Sequence, residues 1–340
     1  MLIKTEAGDE VKPTTLVHEN NSEASDAETI ENDKSVPETE QDPLEDFPLS
    51  ETEIELVHCR ITSLPKLNLN RFRLLKGLYL RQNLITKIED IDELVELTEL
   101  DLYDNRISLI ENLEKLINLE SLDLSYNKIK QIVGVEQLTK LRHIYFVNNK
   151  VSVIENLSTL TELINLELGA NRIRQIENLD ALVNLEQLWL GKNKITSLEN
   201  LSSLKKLKIL SIQSNRITSL LGLEGLTGLE ELYISHNGIS QIEGLENLSK
   251  LRILDIANNK ISKLENISHL LELEELWANN NDFNSFQDLE SQFAPLVKVT
   301  TVYLEGNPLQ TSNPTAYRRK VKMALPPSLI QIDATLCARS

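Results

Sequence analysis

An asparagine returns every 22 residues along most of this chain, and no other property limits the fold as tightly. The series runs Asn83, Asn105, Asn127, Asn149, Asn171, Asn193, Asn215, Asn237, Asn259 and Asn281 without a slip of register. Each closes a string such as Leu97-x-x-Leu100-x-Leu102-x-x-Asn105-x-Ile107. Side chains alternate along a strand, so both residues of the Leu-x-Leu pair project to one side and the residues around them to the other. One side is core and the other is solvent. The Asn stands where the chain turns inward, and its amide can satisfy backbone groups of adjacent turns that water does not reach. A fixed period of this length means small units that bury their apolar faces only by stacking on one another.

The string and its period are the leucine-rich-repeat pattern at its shortest common length. It extends past the regular series at both ends. Cys59 takes the Asn role 24 residues before Asn83, within Ile54-x-Leu56-x-x-Cys59-x-Ile61, and Asn307 takes it 26 residues after Asn281. That makes twelve repeats, with irregular spacing only in the end units, where one face has no neighbour. After the ladder Asn comes Ile-x-x-Ile-Glu-Asn-Leu, seen as Ile110 to Leu113, Ile154 to Leu157 and Ile176 to Leu179. There Asn112, Asn156 and Asn178 read as caps of a short helical turn. The expected fold is an α/β solenoid, with a concave parallel sheet, short convex helical turns and a C-terminal cap. Residues 46–308 form the solenoid and 309–340 the cap.

The N-terminal segment is a different material. Residues 1–50 hold 14 Asp or Glu against 3 Lys and few aliphatics, too little apolar surface to offset the entropy of ordering. Residues 1–45 are expected to be a disordered acidic tail. The whole chain carries 52 acidic and 35 basic residues, a formal charge of -17, which repels phosphate backbones and anionic membrane surfaces. Nucleic acid and membrane partners are therefore not expected, and no run approaches 18 apolar residues. Two cysteines near opposite ends and no apolar leader after Met1 suggest an intracellular, reduced protein. The histidines His18, His58, His143, His236 and His269 show no ligand spacing, so no metal is expected. Neither a phosphate-binding glycine loop nor a nucleophile elbow nor a Ser/His/Asp arrangement is visible, which argues against an enzyme and against a cofactor.

One outward strand position departs from mere solvation. Four residues before each ladder position stand Glu55, Tyr79, Asp101, Asp123, Tyr145, Glu167, Trp189, Ser211, Tyr233, Asp255, Trp277 and Tyr303. All but Ser211 are aromatic or acidic. Aromatic anchors mark binding hot spots, and the interleaved carboxylates call for a basic partner surface. Stacking of the rings on one another is the competing structural explanation, but it gives no reason for the acids. Twelve strands at about 4.8 Å span an arc of about 55 Å, enough to embrace a protein domain and too smooth for a small molecule.

These strings carry a family resemblance. Leu-Asp-Leu-Tyr-Asp-Asn (100 to 105), Val-Asn-Asn-Lys (147 to 150), Leu-Gly-Lys-Asn-Lys-Ile-Thr (190 to 196), Gln-Ser-Asn-Arg (213 to 216), Ser-His-Asn-Gly-Ile (235 to 239) and Asn-Ile-Ser-His-Leu (266 to 270) are the repeat segments concerned. With the C-terminal segments Val302 to Leu309, Tyr317 to Val321 and Gln331 to Thr335, they resemble the leucine-rich regulatory subunit of protein phosphatase 1, suppressor-of-dis2 type. The likeness covers about residues 51–340 and leaves the tail out. It implies a nuclear and cytoplasmic protein, monomeric on its own, that holds the phosphatase catalytic subunit in its concave face. It further implies effects on phosphatase maturation, targeting and chromosome segregation in mitosis, and a shared complex with a small inhibitor subunit. The family's binding positions fall on Asp123, Tyr145, Glu167, Trp189, Asp255, Trp277 and Tyr303, with Glu275 beside them; Tyr233 lies on the same line. Where the family often has Phe, this chain has Tyr145 and Trp189. Arg142-His-Ile144-Tyr-Phe146 fits a short phosphatase-docking motif, but Ile144 and Phe146 occupy inward Leu positions and read as a chance match. A leucine-rich-repeat assembly scaffold for another complex, spliceosomal or cytoskeletal, is the alternative reading.

Overall fold

The structure, a computed structural model, describes residues 44–337. The expectation of a disordered tail falls mainly on residues 1–43, outside the described residues. Leu44, assigned to that tail, is instead fully buried against the first repeats, and Arg71 Nη2 donates to its carbonyl oxygen at 2.7 Å. The folded unit therefore begins at least two residues before 46.

The Leu-x-Leu pairs fold as expected. Leu100, Leu122, Ile144, Leu166, Leu188 and their equivalents face inward, and the residues on either side of each face out. The strands are three residues long: β1 (Glu53–Glu55), β2 (Gly77–Tyr79), β3 (Glu99–Asp101), β4 (Ser121–Asp123), β5 (His143–Tyr145), β6 (Asn165–Glu167), β7 (Gln187–Trp189), β8 (Ile209–Ser211), β9 (Glu231–Tyr233), β10 (Ile253–Asp255), β11 (Glu275–Trp277) and β12 (Thr301–Tyr303). They pair in parallel and in chain order with no offset, Leu100 opposite Leu122 and Leu122 opposite Ile144. A single Leu/Ile core runs under the sheet from Leu44 to Ile332, filled out by Phe72, Phe146, Phe283 and Phe293.

The ladder asparagines do what their position requires. Asn171 Nδ2 donates to the carbonyls of Phe146 (2.8 Å), Leu168 (3.1 Å) and Gly169 (3.2 Å), while its Oδ1 accepts from Val151 N at 2.9 Å. Each amide thus closes its own turn and ties it to the repeat before. Asn307 continues the scheme through Ala278 O, Leu304 O and the N–H groups of Asn281 and Phe283. Cys59 does not. It is exposed, and its Sγ donates only to Val57 O two residues away. Among the described residues no repeat lies ahead of it to present buried carbonyls, so the constraint that selects Asn is absent.

The outer side differs from a row of capped helical turns. In the 22-residue repeats it consists of two successive tight turns, for example Leu116 N to Leu113 O and Leu119 N to Leu116 O. The longer end spacings are where helix fits. The first holds two 3-10 turns, Pro65–Leu67 and Leu69–Arg71, and the last holds α1 (Phe286–Phe293). Asn112, Asn156 and Asn178 are not N-caps. Each has φ near +60°, whereas an N-cap is extended. The same left-handed conformation recurs at Asp90, Gly134, Asn200, Gly222, Gly244 and Asn266. Asn, Asp and Gly are the residues that tolerate it. The Asn side chains add a second ladder, Asn112 Nδ2 donating to Ile88 O and Asn156 Nδ2 to Ile132 O, both at 2.7 Å.

The C-terminal cap closes the open end. α2 (Pro308–Thr311) and α3 (Pro314–Ala324) cover the core, β13 (Gln331–Ile332) pairs with β12, and β14 (Thr335–Leu336) turns back antiparallel. Asp333 holds these pieces together: its Oδ1 accepts from Leu304 N and Glu305 N, and its Oδ2 from the Tyr317 hydroxyl at 2.9 Å. Arg318 donates to the carbonyls of Ile332, Thr335 and Leu336.

Candidate protein-binding face

The third residue of every strand, from Glu55 in β1 to Tyr303 in β12, lies on the open face of the sheet, because its neighbours before and after are inward. Asp123, Tyr145, Glu167, Trp189, Tyr233, Asp255, Trp277 and Tyr303 therefore do form one line, and Glu275 stands beside it as the first residue of β11. The line divides into three stretches.

In the C-terminal stretch the rings pack together. Trp277 meets Tyr233 edge-on at 6.1 Å between centroids and Tyr303 at 5.9 Å. Tyr233 and Trp277 are two strands apart, so they meet across β10, whose Asp255 is only 7% exposed. The polar tips are all held: the Tyr233 hydroxyl donates to Glu231 (2.7 Å), Trp277 Nε1 to Glu275 (3.0 Å), and Gln331 Nε2 to the Tyr303 hydroxyl (2.7 Å). Ring stacking is thus real here. It does not describe the central stretch, where Tyr145 and Trp189 have no ring partner among the described residues. There Trp189 Nε1 donates to Asn165 Oδ1 at 3.1 Å, and Asn165 Nδ2 donates to Glu167 at 3.3 Å. Ser211, whose hydroxyl donates to Gln213, separates the two stretches. In the N-terminal stretch Tyr79 donates to Glu99, Arg81 pairs with Asp101 and lies over Tyr103, and Tyr103 stacks on Tyr126 at 4.9 Å.

Three of the aspartates have a structural duty as well. Asp101, Asp123 and Asp255 each accept the N–H two residues on, at 2.8–3.0 Å, which fixes the carboxylate at the strand end. Burial is the largest influence on the acids at the centre of the face. It pushes the carboxyls of Asp123, Glu167 and Asp255 up, and like charge from Asp101 on Asp123 and from Asp123 on Glu167 adds to it. These are carboxylates partly stripped of water, and among the described residues none of the three forms an ion pair, although the more distant Arg81 offsets part of the rise at Asp123. A partner cation would compensate them.

Reading one position per strand missed Asn165, Glu231 and Gln331, which orient the rings. Asn165 and Glu231 are the first residues of β6 and β9, the position already noted at Glu275, so the period would have found them. Ile144 and Phe146 are fully buried, so the motif around them offers no apolar side chain for docking. Among the described residues no group of three or more His, Cys, Asp or Glu gathers at a metal site, and no helix is long and apolar enough to cross a membrane.

The fold and the ladder define a leucine-rich-repeat protein. Two leucine-rich-repeat families match it, one described as two-copy repeats over residues 95–137, 183–225 and 227–269, the other over residues 52–107. Its repeats are similar to those of the protein phosphatase 1 regulatory subunit SDS22. The Schizosaccharomyces pombe protein is 50% identical over 70 residues, which is 21% of this chain and 20% of that protein. The Saccharomyces cerevisiae protein is 55% identical over 47 residues, 14% of each. These stretches span a fifth or less of the relatives' length, and they bear out the resemblance to the SDS22 type. In structure the chain is similar to an internalin from Listeria monocytogenes (TM-score 0.67, 27% identity, 84% of this chain and 87% of that one). It is also similar to a leucine-rich-repeat protein of Leptospira interrogans (TM-score 0.64, 25% identity, 81% of each).

Proposed function

We propose that this chain is a non-enzymatic regulatory subunit whose sheet face binds the catalytic subunit of protein phosphatase 1. Asp123, Tyr145, Glu167, Trp189, Tyr233, Asp255, Glu275, Trp277 and Tyr303 make the contact. The observation that carries the reading is the face itself: a line of rings whose polar tips are already anchored, interleaved with desolvated carboxylates, in a chain whose relatives are named as regulatory subunits of that phosphatase. Anchored rings lose little freedom on binding, and the carboxylates favour a basic patch on the partner. Binding of this kind controls maturation, activity or targeting of the phosphatase, including in mitosis, in nucleus and cytoplasm, with room for a small inhibitor subunit in the same complex.

The test is a titration of the purified chain against the purified catalytic subunit. A one-to-one complex is expected, and Glu167→Lys with Asp255→Lys should weaken it at least tenfold while Lys205→Ala, on the outer side, leaves it within about twofold. No complex, or loss only with the outer-side variant, refutes the reading.

A further inference from the structure

Alongside the acidic face runs a row of the opposite sign. The residue after each ladder asparagine is Arg106, Lys128, Lys150, Arg172, Lys194 and Arg216 in six consecutive repeats. Each stands between a ladder Asn and a buried Ile or Val, so only its side chain can leave the body of the solenoid. The backbone at each is fixed: Arg106 N donates to Ile85 O, Lys128 N to Ile107 O, and so on to Arg216 N and Ile195 O, all at 2.8 Å. The cations therefore rise at the strand repeat, about one every 4.8 Å. Lys130, Arg174 and Lys192 flank the row and are exposed.

None of the six forms an ion pair or a side-chain hydrogen bond among the described residues. Glu111, Glu155, Glu177 and Glu199, five residues further along their turns, are not within ion-pair distance of them. The turns that lead into the strands contrast with this. There Lys115 pairs with Asp92, Lys208 with Glu186, Arg252 with Glu274 and Lys298 with Glu272. A chain with 17 more acids than bases thus leaves a straight file of its cations unneutralised on one edge.

We propose that this edge, Arg106 to Arg216, is a docking rail for an extended acidic polypeptide segment of a partner, lying across the repeats. In an extended peptide, side chains on one side recur at about 6.8 Å, so alternate carboxylates stay within reach of flexible Lys and Arg heads along the whole file. A nucleic-acid strand fits less well, because it carries a charge on every unit in a chain that is acidic overall, whereas a peptide need be acidic only over the length of the file. The inference does not depend on which protein occupies that face.

The probe is a fluorescent twelve-residue oligoglutamate, titrated by anisotropy into the full chain at low salt, with a twelve-nucleotide oligothymidylate as the second ligand. The peptide should bind, and binding should fall steeply as salt rises. Lys150→Glu with Arg172→Glu and Lys194→Glu should weaken it at least tenfold. Lys140→Glu with Lys206→Glu and Lys250→Glu, the same change of charge elsewhere on the outer surface, should leave it within about twofold. All six positions are exposed or half-exposed, and a melting curve for each variant confirms folding. Equal loss in both triple variants would mean that only net charge matters, and would overturn the proposal. Absence of peptide binding, or tighter binding of the oligothymidylate, would also overturn it.

Discussion

Replacing Trp277 with Ala separates what the sheet face does for the fold from what it does for a partner. The ring makes two edge-on contacts, with Tyr233 at 6.1 Å and Tyr303 at 5.9 Å. Each such pair contributes about 0.5–1.5 kcal/mol beyond burial, so the substitution should cost about 1–3 kcal/mol of stability. As a pre-oriented aromatic anchor, Trp277 should also cost at least about 2 kcal/mol of binding when replaced, roughly a 30-fold weaker Kd for the phosphatase catalytic subunit. Trp189 lacks a ring partner and is held by one hydrogen bond to Asn165. Its replacement by Ala should cost a similar amount of binding but, at about 1 kcal/mol, less stability. Urea unfolding gives the first quantity and calorimetric titration the second. Trp277→Phe keeps a ring in the stack and loses only the Nε1 bond to Glu275, so it should recover most of the stability. If Trp277→Ala folds and binds at full strength, the face is not the site. If Trp189→Ala destabilises as much as Trp277→Ala, the assignment of ring packing to the C-terminal stretch is wrong.

Further outcomes follow from the geometry. Asn171→Ala leaves Val151 N without its buried acceptor and takes one of two amide donors from each of the Phe146 and Leu168 carbonyls, which keep Asn149 and Asn193; it should lower unfolding stability by about 1–3 kcal/mol in urea. Asn171→Asp should be at least as harmful, since it turns a carboxylate oxygen toward three carbonyls. Asp123, Glu167 and Asp255 take up protons at higher pH than ordinary carboxylates. The unbound fold should therefore gain stability as pH falls through their raised values, while binding to a basic partner weakens over the same interval; Glu167→Gln with Asp255→Asn should flatten both profiles. Gly134, at φ +73°, occupies a position where other repeats use Asn, so Gly134→Asn should leave thermal stability within about 1 kcal/mol. At Gly222, φ is +107° and a Cβ would lie 2.1 Å from Leu198 O, so even Ala should lower the melting temperature by several degrees, about 1–3 kcal/mol.

The strand register and the core were legible because period and residue type agree: Leu100, Leu102 and Asn105 each have one place to go once the 22-residue step is set. The outer turns were not. Asn is favoured both at N-caps and in the left-handed region, so Asn112 alone cannot distinguish them. Its periodic exchange with Gly134, Gly222 and Gly244 is the signal that does, because glycine is the default for positive φ. On the face, the line of side chains followed from alternation, but the meeting of Tyr233 with Trp277 across β10 did not, since alternation says nothing of how far a ring reaches. Cys59 holds the place of Asn in its string, 24 residues before Asn83 rather than 22, without the chemistry of the ladder, which depends on a repeat lying ahead of it. The file from Arg106 to Arg216 was present in the sequence but diluted by the acidic total.

The two ends of the solenoid are fastened differently, and this sets how it would respond to a pull. Every repeat is bonded only to the one before and the one after, so tension along the chain is carried in series and the weakest end yields first. At the C-terminus Asp333 clamps β12, α3 and the returning strand. At the N-terminal end of the described residues Cys59 supplies no bond to any neighbouring turn. Unspooling should start from β1 and advance one turn at a time. Each 22-residue step would release about 75 Å of slack, so the molecule would act as a spring that lengthens in even notches from one end.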